Sequence, residues 1–142
     1  MGNTEYKAAF DRIVLPIASQ YQPELILVSC GFDAAAADVI GEYILTAPMY
    51  AYMTRKLKHV SNGKLLLFLE GGYSPKAIGQ CFSACLEALL SDSSTAECDL
   101  DLAELDISDA GPCKRAEQTL QAVAKEQSKY WDLKRTSLEN KQ

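Results

Sequence analysis

The chain has 142 residues, of which 48% are hydrophobic and 23% charged, and its net charge is −5. This length and composition are typical of a single globular domain. The negative net charge argues against direct DNA binding, and no apolar run approaches the roughly 18 residues that a membrane-spanning helix needs.

The first part of the chain has the pattern of a helix followed by a strand. Apolar residues recur with a helical period over residues 4–21, which predicts an amphipathic helix with Asn3 or Thr4 as N-cap. A kink is expected at Pro16, because proline lacks an N–H and crowds the preceding turn. The unbroken apolar run Leu25 to Val28 then predicts a central parallel strand covered on both faces.

The middle of the chain repeats this order. After a loop from Gly31 to Leu45, a second helix is predicted to open at Thr46 and to end in a left-handed cap at Asn62-Gly63. Residues 65–69 predict a second strand. A third helix is expected to begin after Ser74, with Pro75 at its first position.

The order helix, strand, helix, strand, helix predicts an α/β fold with a parallel sheet and flanking helices. Strand–helix–strand units are right-handed, so Asp33 and Tyr73 are expected at the same edge of the sheet. Few further strands are available to flank these two, and we therefore expect exposed apolar surface on the chain.

The sequence pattern changes after residue 90. Residues 91–113 have acidic but no basic side chains and predict a solvated connector, and residues 114–142 predict a last amphipathic helix. The sequence therefore predicts three parts: a sheet-forming part over residues 1–90, an acidic connector over residues 91–113 and a C-terminal helix over residues 114–142.

The cysteines are odd in number and show no C-x-x-C spacing: Cys30, Cys81, Cys85, Cys98 and Cys113. Nothing resembles a secretory signal, so we expect free thiols and a location in the nucleus and/or the cytoplasm. Cys81 and Cys85 lie one turn apart on an apolar helix face, which predicts buried core side chains.

Two loop segments carry a resemblance to a known family. They are Gly31-Phe32-Asp33-Ala34-Ala35, followed by Asp38 and Gly41, and Glu70-Gly71-Gly72-Tyr73. At these separations they resemble the C-terminal part of the catalytic domain of class II, IIb-like, zinc-dependent histone deacetylases. The resemblance covers roughly residues 1–90 and implies a three-layer αβα arginase-deacetylase fold that is truncated at its N-terminal side.

The resemblance also implies a set of site residues. Asp33 matches a zinc ligand, and Tyr73 matches the residue that donates a hydrogen bond to the developing oxyanion. Gly71 and Gly72 match the turn beside the substrate, and Ile40 matches an aliphatic residue at the rim of the acetyl-lysine tunnel. Tyrosine at position 73 is similar to the efficient deacetylases, since class IIa usually has histidine there.

Several family features are missing. The only histidine is His59, which we expect at a helix surface, and neither the Asp-x-His ligand segment nor the adjacent histidine pair is present. Ala36 to Gly41 replaces the usual Arg-Gly-Asp-Pro-Leu-Gly, and Ser74 stands where an asparagine is usual. The isolated chain is therefore expected to bind zinc weakly and to show little or no catalysis.

Simpler interpretations remain open for single residues. Asp33 alone fits a turn or N-cap carboxylate, and Tyr73 alone fits a half-buried aromatic residue with its hydroxyl on a backbone group. Gly71-Gly72 before a helix could also cradle a phosphate, although no phosphate-binding motif accompanies it.

The functional prediction is part of a deacetylase that hydrolyses N-acetyl-lysine in proteins such as histone tails or tubulin. One alternative is a non-catalytic interaction module that docks on a deacetylase or its partners through an exposed sheet edge. Another is a structural α/β domain whose loops bind an unrelated small molecule.

Overall fold

The computed structural model describes residues 1–91 and 105–134 of the chain. The elements in this part are α1 (Asn3–Ala9), a π-helical turn (Phe10–Val14), α2 (Leu15–Tyr21), β1 (Ile26–Cys30), α3 (Ala47–Val60), β2 (Leu65–Leu69), α4 (Pro75–Leu90) and α5 (Lys114–Gln127). The predicted alternation of helices and strands is confirmed.

The two strands pair in parallel, with Ile26 opposite Leu65 and Cys30 opposite Leu69. β2 has the predicted bounds, whereas β1 begins one residue later and ends two residues later than predicted. Because α3 connects the two strands, their carboxyl ends lie at the same edge of the sheet, as predicted.

The first helix differs from the prediction at its start. Gly2 is the N-cap, and its amide donates to Glu5 Oε2 at 2.7 Å. Asn3 is therefore the first helical residue, and its buried side chain makes long-range contacts instead. It accepts a hydrogen bond from the Thr46 amide at 3.1 Å and donates to the Leu105 carbonyl oxygen, which joins α1 to the start of α3.

The irregularity expected at Pro16 lies just before it. The helix widens into the π turn, in which the Leu15 N–H bonds to the Phe10 carbonyl oxygen, five residues back. Pro16 then occupies the first turn of α2, where its missing N–H costs little.

The core lies between the loop after β1 and the pair of helices α3 and α4. Its most buried large side chains are Phe32, Leu45, Met49 and Leu105. Within the predicted connector, Leu105 is buried because its apolar side chain reaches back into the core, whereas residues 106–113 are exposed or half-buried. The rest of that connector lies outside the described residues.

The sheet is covered on one face. Side chains alternate along a strand, and Val28 and Leu67 point toward the core formed with α3 and α4. On the opposite face Leu27, Leu66 and Phe68 are 61%, 50% and 52% exposed. The prediction of strands covered on both faces is wrong for the described part of the chain, and the expected exposed apolar surface is confirmed.

The structure confirms some of the predicted helix ends and corrects others. Asn62 and Gly63 both have positive φ at the end of α3, which confirms the predicted cap, and Ser74 Oγ accepts from the Ala77 amide at the start of α4. α5 ends at Gln127, earlier than predicted, and residues 135–142 lie outside the described part. Within the described ranges, no helix has the length and hydropathy to cross a bilayer.

Candidate functional site

The loops that follow β1 and β2 are joined by main-chain hydrogen bonds. The Phe32 amide donates to the Gly71 carbonyl oxygen at 2.8 Å, and the Glu70 amide donates to the Cys30 carbonyl oxygen at 3.4 Å. The Phe32 ring is 2% exposed and packs against the Tyr50 ring at 5.2 Å between centroids. The first loop is therefore anchored both to the second loop and to the core.

Asp33 lies directly against the backbone of the second loop. A Cβ placed on Gly71 would come 2.3 Å from Asp33 Oδ2, and one on Gly31 would come 3.1 Å from Oδ1. The absence of a side chain at Gly71 thus makes room for the Asp33 carboxylate. The following residue, Gly72, has φ +123°, a conformation that favours glycine.

Asp38 holds the two loops together. Its Oδ1 accepts hydrogen bonds from the amides of Ile40 at 2.8 Å and Gly41 at 3.0 Å, and its Oδ2 accepts from the Tyr73 amide at 2.6 Å. The hydrogen bond from Gly41 and then that from Tyr73 lower the pKa of Asp38, since both favour the ionised carboxylate.

This role of Asp38 was missed as a site function, although Asp38 belongs to the first of the two loop segments singled out above. An aspartate that bonds amides two and three residues ahead is a common turn pattern. Its contact with Tyr73, 35 residues away, depends on the parallel pairing of β1 and β2.

Tyr73 and Ile40 present their side chains to solvent. They are 55% and 64% exposed, respectively. The structure thus brings the backbone of Tyr73 to the Asp33 loop through Asp38, and leaves the side chains of Tyr73 and Ile40 exposed.

A cavity of about 430 Å³ opens beside Asp33, between the sheet, α1 and α3. Asp33, Gly71, Tyr6 and Tyr50 are among its lining residues, whereas Tyr73 is not. Tyr50 is 5% exposed, and its hydroxyl has no hydrogen-bond partner in the described part of the chain. Burial raises the pKa of Tyr50 well above its usual range, so the phenol is neutral at physiological pH.

The residues present do not fit a zinc ion. A zinc site that is retained in a folded protein has at least three protein ligands, and residues 1–91 and 105–134 contain no cluster of three or more histidine, cysteine or acidic side chains that could hold a metal. His59 is exposed near the end of α3, as predicted, far along the chain from Asp33. Asp33 thus lacks the two further ligands that a zinc site needs within the described residues.

The sequence is similar to those of known proteins. The family described as "Histone deacetylase domain" matches residues 1–89. Histone deacetylase clr3 of Schizosaccharomyces pombe is 40% identical over 131 residues, which is 92% of this chain and 18% of that protein. Human histone deacetylase 7 is 38% identical over 133 residues, covering 92% of this chain and 13% of that protein.

Solved structures agree with the sequence comparison. The structure of the histone deacetylase Clr3 superposes with a TM-score of 0.78 at 37% identity, covering 95% of this chain and 21% of that one. The HDA15 HD domain gives 0.75 at 33% identity, covering 92% of this chain and 32% of that one. The chain therefore spans a third or less of the relatives and solved structures named here. Because the family match runs through both loops and the fold agrees, this chain belongs to the histone deacetylase family and carries part of its catalytic domain in the arginase-deacetylase fold.

Proposed function

We propose that the chain contributes two groups to a zinc-dependent deacetylase site that hydrolyses N-acetyl-lysine. Asp33 is the carboxylate that it offers to the metal, and Tyr73 is the hydrogen-bond donor for the oxyanion. The observation that carries the proposal is the Asp38 bridge, which fixes the Tyr73 backbone to the loop of Asp33 at the ends of adjacent strands.

Each group has a defined task in this proposal. The phenol of Tyr73 is exposed and free to donate to an oxygen that gains negative charge, an interaction worth about 2.7–4 kcal/mol in acyl transfer. Gly71 leaves room for the Asp33 carboxylate because it has no side chain, and Gly72 turns the backbone toward Tyr73. The exposed side chain of Ile40 provides apolar contact to a lysine side chain.

The remaining ligands and the proton-transferring histidines have to come from polypeptide outside these 142 residues, since the sequence contains one histidine and no Asp-x-His. We therefore propose that the chain alone is inactive. Tyrosine at position 73 favours a class II, IIb-like site acting in the nucleus and/or cytoplasm on acetylated proteins such as histone tails or tubulin. One relative is named "Polyamine deacetylase HDAC10", so an acetylated polyamine belongs in the substrate panel.

The alternative is a non-catalytic module that binds the rest of a deacetylase or its partners. It is favoured by the two-stranded sheet of the described residues, in which β1 and β2 each have one edge without a neighbouring strand. The exposed face with Leu27, Leu66 and Phe68 adds apolar area that a partner would cover.

The test is complementation. The chain is co-expressed with the N-terminal part of a related deacetylase domain that carries Asp-x-His and the histidine pair, and hydrolysis of an acetyl-lysine peptide is measured. We expect no activity from either part alone and hydroxamate-sensitive activity from the complex. Activity should be lost with Asp33→Ala and strongly reduced with Tyr73→Phe.

Tyr130→Phe is the matched control, because Tyr130 is 79% exposed and remote in sequence from both loops. A complex that forms but stays inactive with the wild-type chain favours the interaction module. Hydrolysis by the chain alone, abolished by Tyr73→Phe, would show that the site is complete without a second polypeptide.

A further inference from the structure

A second cavity, of about 240 Å³, lies between β2 and α4, and Tyr73 does not line it. Its walls are apolar except for two thiols, those of Cys30 and Cys85. Leu66, Phe82 and Leu86 line it and are 50%, 53% and 43% exposed, so the cavity opens to solvent on their side.

The volume suits a small apolar molecule. An engineered apolar cavity of about 150 Å³ is large enough to bind benzene. The larger cavity here accommodates a ring of that size with a short substituent, and transfer of such a molecule from water to leucine and phenylalanine side chains is favourable.

The two thiols are not equivalent. Thr54 Oγ1 lies 3.4 Å from Cys85 Sγ and 2.8 Å from the Tyr50 carbonyl oxygen, and its one proton is donated to one of these two acceptors at a time. The Cys30 thiol also interacts with this sulfur, and these contacts, that with Cys30 first, lower the pKa of Cys85. The same pairing raises the pKa of Cys30, so Cys85 is the thiol of the pair that ionises more readily.

Cys81 serves as a comparison for Cys85 within the same helix. It lies one turn from Cys85 on α4 and is equally buried, at 3% exposure. It does not line the cavity, and burial raises its pKa to about 11. Any route that reaches buried thiols by unfolding α4 exposes both residues alike.

We propose that this cavity is a covalent modification site, in which a small apolar α,β-unsaturated carbonyl compound binds and alkylates Cys85 Sγ. The thiolate adds to the β-carbon, forming a C–S bond as the C=C π bond breaks. The electron pair passes to the carbonyl as an enolate, whose α-carbon takes a proton from water. The proton that Cys85 loses goes to solvent, so no oxidant or reductant is needed. The inference does not rest on deacetylase activity.

The experiment compares two maleimides on the native wild-type chain. N-Ethylmaleimide is small and apolar, and the second maleimide carries a sulfonate of fixed negative charge. Labelling of each cysteine is followed over time by peptide mass spectrometry at pH 7. We expect N-ethylmaleimide to label Cys85 at least about tenfold faster than Cys81, because their thiolate fractions differ strongly. The charged reagent should label the exposed Cys113 but not Cys85.

A threonine variant tests the activation of the thiol. Thr54→Val removes the hydrogen bond to Cys85 and should slow its labelling several-fold and shift the pH dependence of the rate to higher pH. Thr119→Val, at an exposed position in α5, should leave both unchanged.

Three results overturn the proposal, and each is obtained with the wild-type chain, so none depends on the folding of a variant. They are equal rates at Cys81 and Cys85, labelling of Cys85 by both maleimides at the same rate, and a native chain in which Cys85 is not labelled.

Discussion

The contact between Gly71 and Asp33 gives a prediction that a double-mutant cycle can test. A Cβ on residue 71 would lie 2.3 Å from Asp33 Oδ2 and 3.1 Å from Asp33 Cγ, whereas ordinary contact begins at 3.4 Å. Gly71→Ala therefore forces the carboxylate and the loop apart by about 1.1 Å. The φ of Gly71 is not positive, so alanine adopts the backbone conformation, and the clash is the dominant cost.

The magnitude follows from two opposing terms. Overpacking of this kind costs about 1–3 kcal/mol of unfolding free energy. Replacing glycine by alanine also reduces the freedom of the unfolded chain, which stabilises by about 0.4–1 kcal/mol. We expect Gly71→Ala to destabilise the wild-type chain by about 1–2 kcal/mol, and to be neutral or slightly stabilising in an Asp33→Ala background, where the obstacle is gone.

The assay is urea unfolding followed by circular dichroism for the wild type, both single variants and the double variant. It is run at two protein concentrations, since the exposed sheet face favours association. Gly79→Ala is the matched control. A Cβ there meets nothing within 4 Å, and alanine in a helix is favoured over glycine by about 0.5–1 kcal/mol. It should stabilise in both backgrounds.

The reasoning is refuted if Gly71→Ala costs the same free energy with and without the Asp33 carboxylate. The cost would then arise in the backbone of the second loop, and the close approach of Asp33 to Gly71 would not describe the chain in solution.

Three further outcomes are expected. Tyr50→Phe should raise the free energy of unfolding by about 1 kcal/mol, because it removes a buried hydroxyl without a partner in the described part of the chain; a loss in the same urea assay contradicts this. In NMR titrations, the Tyr73 amide signal should shift with a midpoint below the ordinary pKa of an aspartate, because the amide hydrogen bonds lower the pKa of Asp38. A lowered folded-state pKa means that the Asp38 bridge stabilises the loops above this range and is lost as the pH falls through it; Asp38→Asn should abolish the titration. Phe32→Ala should cost about 3–5 kcal/mol and remove the cooperative unfolding transition, and retention of that transition would show that Phe32 does not anchor the loop.

Local signals in the sequence were sufficient for the order of elements and for the position of the two loops. Apolar runs predicted both strands. Asn62-Gly63 predicted the end of α3, and Ser74-Pro75 predicted the start of α4. The structure confirms these predictions. These features depend on neighbours a few residues apart, so the chemistry of the local residues is enough to set them.

The sequence pattern was misleading where distant residues decide the outcome. Leu105 lies in a segment that reads as solvated, yet its carbonyl oxygen accepts a bond from Asn3 and its side chain enters the core. Leu105 stands among acidic residues, with Leu102 and Ile107 nearby, and its burial depends on a partner about a hundred residues away.

The candidate site also combines features set by local sequence with features set by contacts between distant residues. The positions of Asp33 and Tyr73 after two parallel strands follow from the sequence, because parallel strands end at one edge. The Asp38 bridge to Tyr73, the carboxylate seated on Gly71 and the pairing of Cys30 with Cys85 do not, because each requires side chains and backbone from separate elements to meet at distances that only packing sets.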